Sequence, residues 1–440
     1  MPSEVTKVGL VGLGVVGTGV ARLLLEDADL LTSRVGRPIE LAHIVDIDLT
    51  RDRGLSIPDG LLTDDLDRLM NDASTTILVE TVGGTTFAKD LVLRALCSGK
   101  DVVTANKALL AKHGKEIFGV ARQHGRCVSF EASCGGGIPL IGPLCRGLLA
   151  NRISAVYGIL NGTCNYILTE MLGTGKAYAD AVSEAMEAGF AEDPPDLDVG
   201  GYDTAHKLAI IASLAFGMSV DYDRITIEGI TKLDLTDLKA GEELGYVCKL
   251  LAIGRRDDGR LSLRVHPAFI AAHHPLANTW GPFNAVSVYG HAVGHTLYYG
   301  RGAGQTPTAS AVVSDVIDIA IGNAGRTFAT LRIYPDVTES PTYQPIEEIV
   351  GRYYVRLMAH DRPGVMAQMT RVFGEHGISL SAIMQHEMPE EATDNAVPVV
   401  VLTHEAQEGD VQGALAELSQ LDALTAEPVC IRVVEEHEEF

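Results

Sequence analysis

The sequence predicts an α/β chain of three parts: an N-terminal doubly wound parallel sheet, an α+β middle domain, and a small ferredoxin-like domain of βαββαβ order at the C-terminus. Three observations carry this. Short β-rich runs alternate with helical segments over residues 1–131, a polar stretch with three prolines interrupts the chain at 334–349, and strand and helix patterns recur beyond it. With 440 residues the chain has room for two or three domains. The boundaries are set at 1–131, 132–334 with a return to the first domain near 300–321, a linker at 335–351, and 352–440.

The first strand, residues 7–11, runs into Gly12-Leu13-Gly14-Val15-Val16-Gly17 and an apolar helical segment reaching residue 25. Glycines at that spacing, between a strand and a helix, permit a tight turn, close packing and a pyrophosphate at the helix N-terminus. This marks a Rossmann-type domain for a dinucleotide. The second strand, Ile39–Val45, ends in Asp46, where a carboxylate meets ribose hydroxyls. Asp46 favours NAD, whereas Arg51 and Arg53 just beyond it suit the 2′-phosphate of NADP, so both cofactors stay in play. Later strands are expected at 77–80, 102–104 and 128–131. Ligands collect at the carboxyl ends of such strands. Two segments fall there: Thr81-Val82-Gly83-Gly84, and Thr104-Ala105-Asn106-Lys107. A lysine at a helix N-terminus opposes the helix dipole, so Lys107 has a use beyond solvation.

Residues 131–139, EASCGGGIP, are too glycine-rich for regular structure. Their carbonyl oxygens, with the Glu131 carboxylate, are suited to ringing a hard cation. Cys134 lacks an adjacent base motif and reads as a semi-buried thiol. A helix is expected after Leu160-Asn161-Gly162, and another from 309 to 321 after the glycine-rich turn holding Gly304. His291 and His295, interrupted by Gly290 and Gly294, read as strand or loop and not as a metal pair. In GFAEDPPDLDVGGYDTAHKLAIIA, Glu192, Asp193, Asp196 and Asp198 occupy a loop broken by proline and glycine. Asp203 and Lys207 then share one face at i,i+4 spacing where a helix begins, and Leu208, Ile211, Ala212 and Ala215 bury its far side. Alone this reads equally well as a surface ion pair worth at most about 0.5 kcal/mol. Together with the glycine motif it reads as an ammonium fixed in a carboxylate pocket.

Beyond the linker, strands are expected at 353–359, 378–386, 396–403 and 428–434, with helices at 363–375 and 410–420; nothing there has a catalytic pattern. The net charge of −23 excludes nucleic-acid and anionic-membrane binding, which need a basic face. No window approaches the roughly 18 apolar residues of a membrane helix. The seven cysteines form no C-x-x-C pair, as expected of reduced thiols in a cytoplasm.

The motifs GLGVVGTGV, VTANKALLA, EASCGGGIP, LNGTCNYIL, EDPPDLDVGGYDTAHKLAI and GAGQTPTASAVVSD, in this order, resemble the homoserine dehydrogenases, and DRPGV resembles the effector turn of an ACT domain. The resemblance covers essentially the whole chain. It implies NAD(P)-dependent interconversion of L-homoserine and L-aspartate 4-semialdehyde in the branch leading to threonine and methionine. It further implies that Lys207 is the proton donor, that Lys107 lies near cofactor and substrate, that Glu192 and Asp203 contact substrate, and that Asp198 completes the polar site. A monovalent cation, Na⁺, is implied at Glu131, Cys134, Gly136 and Ile138. The cofactor contacts implied are the Gly12 to Gly17 loop, Asp46, Thr81, Lys107 and Gly304. A homo-oligomer, dimer or tetramer, and an amino-acid effector, threonine foremost, complete the expectation. Many members carry a basic residue immediately after the second strand, where this chain has Asp46. Two rival readings are an aldehyde dehydrogenase working through a Cys134 thioester and a non-catalytic sensor of cofactor and amino acid.

Overall fold

The computed structural model describes residues 5–191, 193–385 and 396–437. The N-terminal sheet has six parallel strands in the spatial order Leu62–Thr63, Ile39–Val45, Thr6–Val11, Thr75–Glu80, Asp101–Thr104, Val128–Ser129. Val8, Leu10, Ile77, Leu78, Val102 and Val103 are all 0–1% exposed, as a sheet covered on both faces demands. The helices Val15–Glu26, Thr86–Cys97 and Lys107–Gln123 connect the strands. A helix from much later in the chain, Gln305–Ala320, returns to pack on Val15–Glu26, and its Ala309, Val312, Val313 and Val316 join the same apolar cluster. It starts four residues before the position expected from sequence, because the glycine turn ends at Gly304.

The second sheet has the spatial order Gly294–Arg301, Phe283–Gly290, Ile153–Ile159, Tyr246–Asp257, Arg260–Ala271, Val429–Val434, Val350–His360, Ala396–Thr403, Leu380–Gln385. The first five strands belong to the middle of the chain and the last four to the ferredoxin-like unit, whose helices are Val365–Glu375 and Glu408–Leu418. His386, expected in the strand before it, lies outside the described residues. The two groups meet through parallel pairing of Ala268, Phe269 and Ile270 with Arg432, Val433 and Val434. The connecting stretch is pinned at several points. Tyr334 sits in an aromatic cluster with Phe118, Phe130 and Phe328, Asp336 pairs with Arg122 at 2.7 Å, and Thr342–Tyr343 adds a short strand to Arg260–Ala271.

His295 lies on the edge strand and His291 in the turn before it. Among the described residues no helix is long and apolar enough to cross a membrane, and no group of three or more His, Cys, Asp or Glu is placed to hold a metal ion.

Candidate active site

Two helix N-termini build the candidate site. One is Lys107–Gln123, which starts at the carboxyl end of the strand Asp101–Thr104 and is capped by Asn106 accepting from the Leu109 amide. The other is Tyr202–Phe216, which follows a single helical turn, Asp196–Val199, in the segment expected to be loop throughout. Gly201 makes the reversal between those turns with φ +85°, a conformation that side chains rarely adopt. Thirteen of the fifteen residues of Tyr202–Phe216 are buried, Asp203 and Lys207 included, so this helix is enclosed on every side and not on its apolar side alone.

Asp203 is the centre of the constellation. Lys207 Nζ stands 2.6 Å from its Oδ2, and Lys107 Nζ 2.5 Å from its Oδ1. Burial alone raises the pKa of Asp203, but the two ammonium groups overcome this and hold the carboxyl well below the usual carboxylate range. Burial likewise opposes the charge of Lys107, and Asp203 outweighs it, raising the lysine. Lys207 is 9% exposed at the side chain and Lys107 40%, so Lys207 is the buried ammonium of the pair and Lys107 the open one. Lys207 also donates to the Leu160 carbonyl at 2.6 Å. An ammonium has three donors. Two are committed, and one remains.

Asp198 joins through Asn161, whose Nδ2 donates to Asp198 Oδ1 at 2.7 Å and to Asp203 Oδ2 at 2.9 Å. Burial and the nearby charge of Asp203 raise the pKa of Asp198. Neither Asn161 nor Asn284, which donates to the Leu160 carbonyl at 3.0 Å, was foreseen from sequence. Asn161 had one legible signal: it is the N-cap of Gly162–Thr174, accepting from the Cys164 amide. Its second use, holding two carboxylates together, depends on distant chain. Glu192 lies outside the described residues.

The cradle for a dinucleotide is well formed. A Cβ on Gly17 would sit 1.9 Å from the Gly12 carbonyl oxygen, one on Gly12 2.9 Å from Thr81, and one on Gly14 in open space. Only glycine fits at the first two places, and the third leaves room above the loop. Leu13, Val15 and Val16 fill out the turn, and no side chain caps the amides of this helix N-terminus, as a phosphate site requires. Thr81 holds the loop from below, donating to Gly12 O at 2.7 Å. Glu80, fully buried, anchors the neighbouring turn by accepting from the Val82 and Gly83 amides and from Thr104. Gly304 stands at the start of Gln305–Ala320, the helix that packs on Val15–Glu26.

Asp46 and Glu131 are both engaged within the chain. Asp46 does not stand as a lone carboxylate: it accepts from the Leu13 amide at 2.5 Å and the Asp48 amide at 2.8 Å, and Arg53 Nη2 lies 3.4 Å away. Arg53, 5% exposed at the side chain, also donates to the carbonyls of Leu13 and Asp48. The Glu131 carboxylate is held within the chain at both of its oxygens. It accepts from the amides of Leu140, Ile141 and Gly142 at 2.6, 2.8 and 2.7 Å, because it caps the turn that follows the glycine loop. Cys134, Gly136 and Ile138 lie in the glycine loop between Glu131 and that turn.

Cys134 is fully buried, its Sγ 3.8 Å from the Lys207 carbonyl, and burial pushes its pKa up to about 12. Such a thiol stays protonated at neutral pH and is a poor nucleophile.

Comparison with known proteins decides the family. Residues 12–131 match the model of the homoserine dehydrogenase NAD binding domain, 139–317 that of homoserine dehydrogenase, and 353–423 that of the ACT domain. The homoserine dehydrogenase of Pseudomonas aeruginosa is 42% identical over 432 residues, covering 97% of this chain and 98% of that protein. The chain belongs to the homoserine dehydrogenase family. A crystal structure of a homoserine dehydrogenase from Thiobacillus denitrificans superposes with a TM-score of 0.91 at 41% identity, covering 98% of this chain and 99% of that one. The enzyme from S. aureus gives 0.75 at 28% identity, over 98% of this chain and 99% of that one. Family membership makes the chain an NAD(P)-dependent oxidoreductase of amino-acid biosynthesis, with its parallel sheet as the nicotinamide-nucleotide domain and its C-terminal unit as an ACT domain.

Proposed function

We propose that this chain interconverts L-homoserine and L-aspartate 4-semialdehyde, using NAD or NADP, in the branch toward threonine, methionine and isoleucine. The observation that carries the reading is the double engagement of Asp203, with the buried Lys207 keeping one N–H uncommitted. A nicotinamide cofactor, held by the Gly12 to Gly17 turn with Asp46, Thr81 and Gly304 around it, supplies or accepts the hydride when bound. In the reducing direction negative charge grows on the aldehyde oxygen, and the ammonium of Lys207 neutralises and protonates it. In the other direction Lys207, having lost its proton, takes one from the homoserine hydroxyl. Asp203 orients Lys207 and keeps Lys107 charged, while Asp198 and Glu192 select a substrate bearing an α-ammonium.

The finer roles follow the same reading. A monovalent cation, Na⁺, is held by carbonyls of the 131–138 loop, and the enzyme is a cytoplasmic homo-oligomer. Its ACT domain takes an amino-acid effector, threonine foremost, at the Asp361-Arg362-Pro363-Gly364 turn.

The test is the initial rate of L-homoserine oxidation with NAD and with NADP, before and after thiol alkylation. Turnover that needs either cofactor and survives alkylation is expected. No turnover would favour a sensor, and loss on alkylation would return Cys134 to the chemistry.

A further inference from the structure

Away from the catalytic pocket, the strand Arg260–Ala271 turns Ser262, Arg264 and His266 to one face by its two-residue alternation. All three are buried, with Arg264 8% and His266 1% exposed. Neither completes its hydrogen bonding, since Arg264 Nε and His266 Nε2 have no partner. Both line a cavity of about 660 Å³ at the seam with the ACT domain, shared with Tyr157, Arg255, Arg352 and Arg432. This volume lies within the range of small-molecule sites.

Five acids line the cavity, Asp257, Asp258, Glu405, Glu435 and Glu436, and among the described residues none of them pairs with Arg264. Asp257 pairs with Arg255 at 3.2 Å, Glu435 with Arg352 at 3.4 Å, and Glu408 with Arg432 at 2.6 Å. Arg264 is left as a buried guanidinium without an ion-pair partner among the described residues, a costly arrangement unless something anionic completes it. Burial, together with the charges of Arg432 and Arg255, lowers its pKa to about 10, so it remains cationic at neutral pH.

His266 specifies the second half of the ligand. Its Nδ1 lies 2.8 Å from the Pro267 carbonyl, which can only accept, so Nδ1 holds the proton. Burial pushes the ring pKa well down, so the ring is neutral and Nε2 is a lone-pair acceptor.

We infer that this cavity binds a small carboxylate that also carries a hydroxyl or ammonium donor, with Arg264 taking the carboxylate and His266 Nε2 accepting from the donor. The site lies at the Val350 end of the strand Val350–His360, whereas the Asp361–Gly364 turn lines a separate cavity of about 320 Å³ at its other end. It is therefore distinct from the effector turn, and the inference does not depend on the catalytic assignment.

Calorimetric titration of the full chain tests it, with L-lactate supplying the hydroxyl donor, glycine the ammonium donor, and acetate neither. Lactate or glycine is expected to bind at least about tenfold more tightly than acetate. Arg264→Met should abolish that binding and raise the Tm of the ligand-free protein, the opposite sign from loss of a structural arginine. Asp361→Asn should leave binding unchanged. Should Arg264→Met fail to fold, Arg264→Lys keeps the charge but loses the fork, and binding should weaken about tenfold. The inference is overturned if neither donor-bearing probe binds, if acetate binds equally, if binding is unaltered in the Arg264 variants, if Arg264→Met lowers the Tm, or if Asp361→Asn removes binding.

Discussion

Lys107 Nζ stands 2.5 Å from Asp203 Oδ1, and this ion pair joins the first turn of a nucleotide-domain helix to the first turn of the helix that carries Lys207. Each charge meets a helix dipole. The carboxylate is favoured at its helix N-terminus and the ammonium disfavoured at its own, and Asp203 offsets that penalty for Lys107. One carboxylate thereby ties the nucleotide domain to the middle of the chain.

Cofactor choice is expected to depend on Arg53. Asp46 would repel a 2′-phosphate, but its charge is met by the Leu13 and Asp48 amides and by Arg53. Arg53→Ala should lower kcat/KM for NADP by about tenfold or more and for NAD by much less, since it uncovers a carboxylate beside the phosphate position. Equal losses for both cofactors would assign Arg53 to holding the loop alone.

The ACT domain is anchored by a buried ion pair. Asp237 is 0% exposed and accepts from Arg356 at 2.6 and 3.0 Å and from the Tyr354 hydroxyl at 3.1 Å. Asp237→Ala leaves Arg356 without its counter-charge and is expected to cost about 3–5 kcal/mol. Thermal denaturation should show the loss. An unchanged Tm would mean that the seam is held by its strands. Deleting the ACT domain is a poor substitute, because Tyr354, Val400, Leu402, Ile431 and Val433 share one apolar cluster with Cys248 and Phe269 of the middle sheet.

That seam also shows where the sequence stops being legible. The parallel sheet, the glycine turn and the βαββαβ order are local patterns, and each stands in the fold near its expected place. Asp203 and Lys207 were legible for the same reason, as an i,i+4 pair at a helix start. Pairing of Ile270 with Val434 joins residues far apart in sequence, and no periodicity announces it. Asn161 is similar, since its cap role is local and its bridging of Asp198 and Asp203 is not. The amide bonds of the Glu131 carboxylate were not legible either, because the three donors come from the turn beyond the glycines.

His206, next to Lys207, stacks on Tyr222 with ring centroids 4.6 Å apart. Burial lowers its pKa to about 4 from the ordinary 6.5. The unfolded chain thus takes up a proton near 6.5 that the folded chain refuses until about 4. Its contribution to stability is complete above that window and falls as pH drops through it. His206→Gln removes the effect, so the stability lost between neutral pH and about pH 4.5 should shrink by roughly 2 kcal/mol. Denaturant unfolding at both pH values measures this, and an unchanged difference would show that His206 titrates normally.

Lys207 is the proposed proton donor. Steady-state reduction of L-aspartate 4-semialdehyde by Lys207→Ala, alongside the Kd of the cofactor for the same variant, tests it most directly. The expected result is a kcat lower by about 10² to 10⁴ with cofactor Kd close to wild type. A variant whose kcat remains within a few-fold of wild type would contradict it.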